Sequence, residues 1–246
     1  MYFNHKSLRY IIKTALNSCF ICVTILIISC TSQKEKETLT TVFEISKGTQ
    51  TPEYKDVISF YKNLAQYYPT ISITEEGQTD SGYPLHVVYF EPSGKSITSI
   101  SQVQKNTKNI LLINNGIHPG ESDGIDACML LLRDLAKGTI ETPINTTIAV
   151  IPVYNIGGAL QRNSTSRTNQ QGPEVYGFRG NARNYDLNRD FIKADTKNAK
   201  AFTKIFRALD PELFIDNHVS NGADYQYTLT HLFTQHNKLG GKAGAY

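Results

Sequence analysis

The chain has 246 residues, 40% of them hydrophobic, enough for one α/β core of ordinary size and cramped for two independent domains. The formal net charge is +3, and several of the basic residues sit in the first thirteen positions. The remainder is close to neutral and carries no lysine- or arginine-rich stripe to follow a phosphate backbone, so no nucleic-acid partner is expected.

Lys6, Arg9 and Lys13 form a basic start, and an apolar run follows from Phe20 to Ile28. That run is short for a bilayer span and suits an export signal. It ends in Ile27-Ile28-Ser29-Cys30, which resembles a bacterial lipobox. On this reading residues 1–29 are a lipoprotein signal peptide and Cys30 becomes the lipidated N-terminus. The protein is then exported and anchored through lipid to a membrane of the cell envelope. A plain secretory signal and an uncut anchor are the alternatives. Cys19 and Cys22 leave with the signal, which keeps Cys128 as a lone thiol that packs on an apolar helix face. Residues 30–41 are polar and aperiodic, as in a flexible tether, and a folded domain is expected over 42–246.

From Glu53 to Tyr68, Val57, Phe60, Leu64 and Tyr67 recur at helical spacing, and Pro69 closes the helix. Two short strands follow, around Ile71–Thr74 and Leu85–Phe90, joined by Thr79-Asp80-Ser81-Gly82. Asn109–Asn114 is an apolar run suited to a strand buried on both faces. The helix after it, from about Ser122 to Lys137, sets Ile125, Cys128, Met129, Leu132 and Leu135 on one face and stops at Gly138. Thr147–Val153 reads as another buried strand. Asp195 or Thr196 caps a helix with Phe202, Ile205, Phe206 and Leu209 on its apolar face. Leu213–Asn217 is a third buried strand, and Tyr225–Phe233 has the pattern of a fourth. Strands alternating with helices predict an α/β fold, a mixed, mainly parallel sheet with helices on both faces. The segment from Tyr154 to Asp186 lacks periodicity and carries Arg162, Arg167, Arg179 and Arg183, which marks it as a functional loop.

Chemistry concentrates where apolar strands run out. His118-Pro119-Gly120-Glu121 follows the Asn109–Asn114 strand, and a turn there folds both side chains toward one ion. Ligands collect at such strand C-terminal ends in open α/β sheets. His118 and Glu121 alone also suit a solvated loop. His218 closes the apolar Leu213–Asn217 run in the same topological position, and two histidines with a glutamate form the ligand set of an open catalytic zinc site. His231 competes as third ligand, with His218 preferred. In Tyr185-Asp186-Leu187-Asn188-Arg189-Asp190-Phe191 an Arg beside an Asn can grip a carboxylate, and Asp186 can orient a zinc histidine through its other ring nitrogen. Arg189 also suits a plain surface ion pair.

In that order, His118-x-x-Glu121, Asp186-Leu187-Asn188-Arg189-Asp190-Phe191 and His218 resemble the zinc carboxypeptidases related to carboxypeptidase A. Tyr154-Asn155-Ile156-Gly157-Gly158 is similar to a variant of that family's Asn-Pro-Asp-Gly turn, with Pro-Asp lost. The resemblance covers about Pro52 to Tyr227. It implies one Zn2+ per chain on His118, Glu121 and His218, with Asp186 supporting His118. Asn188 and Arg189 would hold the terminal carboxylate of a peptide or protein substrate with a free C-terminus. An arginine would stabilise the oxyanion, Arg167 by choice and Arg162 in reserve. The implied activity is zinc-dependent hydrolysis of C-terminal peptide bonds, by a protease of the cell envelope. One element of the pattern is absent. The family's general-base glutamate lies on a later strand, the sequence stops at Tyr246, and Glu212 is on the wrong side of its strand to replace it. The 42–246 domain is therefore expected to be the N-terminal part of a carboxypeptidase-like fold, incomplete at its C-terminus, with doubtful activity by itself. A deacylase or cell-wall amidase on the same scaffold, or a lipoprotein remnant that binds zinc or peptide without turnover, are the rival functions.

Overall fold

The computed structural model describes residues 39–103, 109–220, 222–223 and 225–245. The signal segment with Cys30 and most of the expected tether lie outside the described residues. Leu39 and Thr41 are buried, so the last residues of the expected tether are packed against the domain. Thr41 caps α1 (Val42–Ile45) in a reciprocal arrangement with Glu44.

Helix α2 (Tyr54–Tyr67) buries Tyr54, Val57, Ile58, Phe60, Tyr61 and Leu64 along one stripe. It ends at Tyr68, whose extended backbone is what the following Pro69 demands. Strands β1 (Ile71–Gln78) and β2 (Pro84–Phe90) form an antiparallel hairpin. β1 runs past the expected Thr74 because its register shifts between Glu75 and Gly77 and pairing then resumes to Gln78. β3 (Asn109–Asn114), α3 (Asp123–Lys137) and β4 (Thr146–Ile151) follow, with Gly138 left-handed at the end of α3. Helix α4 (Ile156–Leu160) and an isolated bridge between Asn163 and Tyr176 give the long loop more order than its composition suggests. Thr196 caps α5 (Lys197–Leu209), and Asp190 accepts from the Thr196 N–H and hydroxyl and from the Asp195 N–H. β5 (Leu213–Asp216) completes the sheet, and a short helix α6 (Gly241–Ala245) lies near the end of the chain.

The strand order is β1-β2-β4-β3-β5; β4-β3-β5 are parallel and β2 joins β4 antiparallel. Alternate residues feed two cores. Val88, Phe90, Ile113, Ile148 and Val150 pack under α2 and α3, while Leu85, Val87, Tyr89, Leu112, Ala149 and Ile151 pack with Phe202, Ile205 and Leu209 of α5. The expected mixed sheet with helices on both faces is present. Among the described residues no helix is long and apolar enough to cross a membrane.

Two expectations fail at the β5 side. β5 is not a buried strand: it is an edge, with Leu213 52% and Ile215 37% exposed, although Phe214 packs against Phe202 and Phe206 of α5. Tyr225–Phe233 is not a strand. Its Tyr225, Tyr227, Leu229 and Phe233 are exposed, because alternation alone stabilises no strand without a neighbour to pair its backbone.

Candidate metal centre

β3 and β5 are parallel neighbours with Asn114 opposite Asp216, so their C-terminal ends release the chain side by side. That register brings His118 and His218 together, with ring centroids 5.4 Å apart. Gly116 has φ +64°, a turn that lets the chain leave β3 and return toward α3. The Glu121 N–H donates to the His118 carbonyl at 2.9 Å, which closes the tight turn that points both side chains inward. One ligand atom each from His118, Glu121 and His218 lies within 4.8 Å of the others. His118 and Glu121 are buried, whereas the His218 side chain is 35% exposed, so the cluster is walled on one side and open on the other.

Both histidines are held from behind. His118 Nε2 is 3.0 Å from Asp186 Oδ1, and its Nδ1 is 3.1 Å from Glu121 Oε1. His218 Nε2 is 3.0 Å from Asp216 Oδ2, and its Nδ1 is 2.8 Å from Glu121 Oε2. A carboxylate behind each Nε2 holds a proton there, so it is Nδ1 that faces the cluster and would give up its proton to bind a metal. Burial would raise the Glu121 pKa, but hydrogen bonds from His118, His218 and the Val219 N–H hold it well below the usual carboxylate range. The bonds to Asp216 and Glu121 push His218 up to about 10, against burial. Burial likewise opposes ionisation of Asp186, and the bonds from His118 and Arg179 overcome it. A fixed, ionised glutamate between two oriented imidazoles is a donor set that fits a divalent borderline-soft ion such as zinc.

The arginines divide into two groups. Arg167 Nη2 is 3.1 Å from Glu121 Oε1, and its Nε donates to Gln170, whose amide donates to the Gly120 carbonyl. A side chain at residue 120 would strike Arg167 Cδ, at 2.6 Å, so Gly120 is what permits this approach. Arg162 is placed elsewhere: its guanidinium donates to the carbonyls of Thr51, Pro52 and Val175, none of them in the cluster, and so braces the loop against the start of α2. That removes it as the reserve oxyanion group. Arg179 is the residue sequence reasoning failed to single out. It donates to Asp186 Oδ2 through Nε and Nη2, and Nη1 lies 3.4 Å from His118 Nδ1. Asp216 was also missed, although an Asp two residues before a strand-end histidine was a signal open to reading.

Asn188 and Arg189 form a 3-10 turn (Leu187–Arg189) capped by Asp186, so the carboxylate that holds His118 also fixes the backbone of the Asn-Arg pair. Arg189 is exposed, and Nη1 donates to the Asn188 carbonyl. Asn155 caps α4 and donates to the carbonyls of Ile117 and Arg179, pinning the loop to the segment that carries His118. His231 stands in the exposed tail against Phe233, outside the cluster. Glu212 accepts from the Ile110 N–H at the opposite end of β5.

Fold and site together define an α/β protein with a His-Glu-His cluster at the carboxyl edge of a parallel sheet. Residues 57–215 match the zinc carboxypeptidase family, and the chain belongs to it. A curated relative, Carboxypeptidase 2 of Trichophyton rubrum, is 25% identical over 178 residues, covering 70% of this chain and 30% of its own. Among solved structures, a metallo-carboxypeptidase from Burkholderia cenocepacia superposes with TM-score 0.53 at 21% identity, covering 70% of this chain and 42% of that one. A carboxypeptidase A-like protein from Shewanella denitrificans gives TM-score 0.53 at 20% identity over 71% and 42%. The chain thus spans less than half the length of each of these three relatives.

Proposed function

We propose that this protein is a zinc metallocarboxypeptidase, acting on a peptide or protein with a free C-terminus. The observation that carries the reading is the cluster of three ligand atoms at two adjacent strand ends, each histidine backed by its own carboxylate. Zinc held by His118, Glu121 and His218 would supply Lewis-acid polarisation of the scissile carbonyl and an acidified attacking water. Asp186 and Asp216 keep each Nδ1 lone pair directed at that position. Arg167 and Arg179 place two guanidinium groups beside the cluster, where the carbonyl oxygen would gain charge. Asn188 and Arg189 are assigned to the terminal carboxylate; the exposure of Arg189 leaves its fork open to one. Glu121, Asp186 and Asp216 are already engaged with the histidines, so among the described residues no cluster carboxylate is spare as a general base, a role worth about 10²–10⁴-fold in rate. We therefore expect residues 31–246 to show no turnover on blocked dipeptides even with zinc supplied. Robust turnover by homogeneous protein would refute this assignment of the base. In a form carrying a suitable downstream glutamate, Arg189→Ala should weaken substrates with a free terminal carboxylate most; an equal loss on amidated substrates would point to a deacylase or amidase.

Export and lipid attachment at Cys30 belong to the same proposal, supported by the lipobox-like end of the apolar run. Mass spectrometry should find an acylated Cys30 at the mature N-terminus, and an unmodified N-terminus elsewhere would sink it.

A further inference from the structure

The carboxyl end of β3 carries an asparagine, Asn114, that is fully buried. Alternation sets it on the same face as Ile110 and Leu112, the face that packs with α5, where the strand's pattern calls for another apolar residue. An amide is costly there. Its Oδ1 is buried and has no hydrogen-bond partner, a loss that an apolar side chain of similar shape would not incur.

The other end of the amide explains its presence. Asn114 lies opposite Asp216 in the parallel ladder, so the two side chains emerge next to each other on one face. Asn114 Nδ2 donates to Asp216 Oδ1 at 2.9 Å, and Asp216 Oδ2 is 3.0 Å from His218 Nε2. Both oxygens of the carboxylate are thus in use, one by the buried strand and one by the ring. The orientation of the amide follows from this, since turning it over would set its own oxygen against the carboxylate. The next rung along is of another kind: Asn217 Nδ2 donates to Asn115 Oδ1 at 2.8 Å and ties the strand ends without a carboxylate.

Asp216 has use for such an anchor. Its side chain is 20% exposed and that of His218 is 35% exposed, so packing alone holds neither. Asn114 is locked in the sheet, where its carbonyl accepts from the Asn217 N–H at 3.0 Å. Pinning Oδ1 from the buried side turns Oδ2 toward the ring. The His118 side is built differently, with Asp186 held by Arg179 and by the Asn188 N–H. We propose that Asn114 is a positioning residue for the metal centre: it fixes Asp216, and through Asp216 the His218 ring, without itself reaching the metal position. This inference rests on the zinc reading given above.

The test is the zinc affinity of the full chain, measured by competition with a chelator. Asn114→Leu, and Asn114→Ala as a smaller change that cannot overpack the sheet, should each weaken zinc about tenfold, the lower end of what losing an outer partner of a metal ligand costs. The deciding measurement is the coupling. In a chain already carrying Asp216→Ala, either substitution should cost less than about twofold more, because the carboxylate through which Asn114 acts is gone. In a chain carrying Asp186→Asn, either should cost about tenfold again. A role confined to holding the strands together would add in full in both backgrounds. Unchanged affinity in both Asn114 variants, or losses that add in full to that of Asp216→Ala, would overturn the inference and leave the zinc reading standing. A parent chain that binds no zinc would overturn the zinc reading and this inference with it.

Discussion

The two histidines differ less in their own chemistry than in what stands behind them. Asp186 and Asp216 each take Nε2, which decides the tautomer and aims Nδ1. Removing such a partner typically costs about 10–100-fold in metal affinity. Asp186→Asn and Asp216→Asn should each weaken zinc by that order in competition with a chelator while the chain stays folded; affinity unchanged in both would show that the carboxylates do not orient the rings. Away from the cluster, Asp126 is buried and accepts from the Thr51 hydroxyl through Oδ2, while Oδ1 has no partner. Burial pushes its pKa up to about 6 from an ordinary 3.8. Because the folded value is the higher one, this group favours folding least where both states are ionised. Its contribution therefore declines as pH rises from about 4 to about 6. Asp126→Asn should relieve a penalty of up to roughly 3 kcal/mol at pH 7.5. The melting temperature of the variant should gain on the parent between pH 4 and pH 7, and a constant difference would contradict the pKa assignment.

At the scale of elements, periodicity made α2, α3, α5 and the central strands legible, since each buries a face whose spacing is written in the residues. The two histidines were legible for the same reason: each follows shortly after an apolar run, which places it beyond the carboxyl end of a strand. What failed were features that depend on a neighbour. β5 reads as a buried strand because Leu213-Phe214-Ile215 is continuously apolar, but half of it is exposed at a sheet edge. Tyr225–Phe233 alternates correctly and pairs with nothing among the described residues. The sorting of loop arginines failed as well, because a guanidinium's partners here lie up to 111 residues away in sequence. Asn155 shows how the loop is tied down, accepting from Gly158 and donating to Ile117 and Arg179. Asn155→Ala strands those buried carbonyls and removes a helix cap, and should cost about 1–3 kcal/mol in denaturant unfolding. A cost near zero would mean that the loop is held by other contacts.

At the scale of the molecule, the sheet, the two cores and the histidine pair form one arrangement: parallel β3 and β5 lie side by side, and the His-Glu-His cluster sits where their ends meet. Family membership and the neighbours' fold agree with that reading. All three ligand atoms of the cluster come from described residues. The most direct test is zinc content by mass spectrometry, after dialysis, of the chain and of three alanine variants at His118, His218 and His231. The account predicts one zinc per chain in the parent and in His231→Ala, and none held by His118→Ala or His218→Ala. Loss of the metal in His231→Ala with retention in His218→Ala would contradict it.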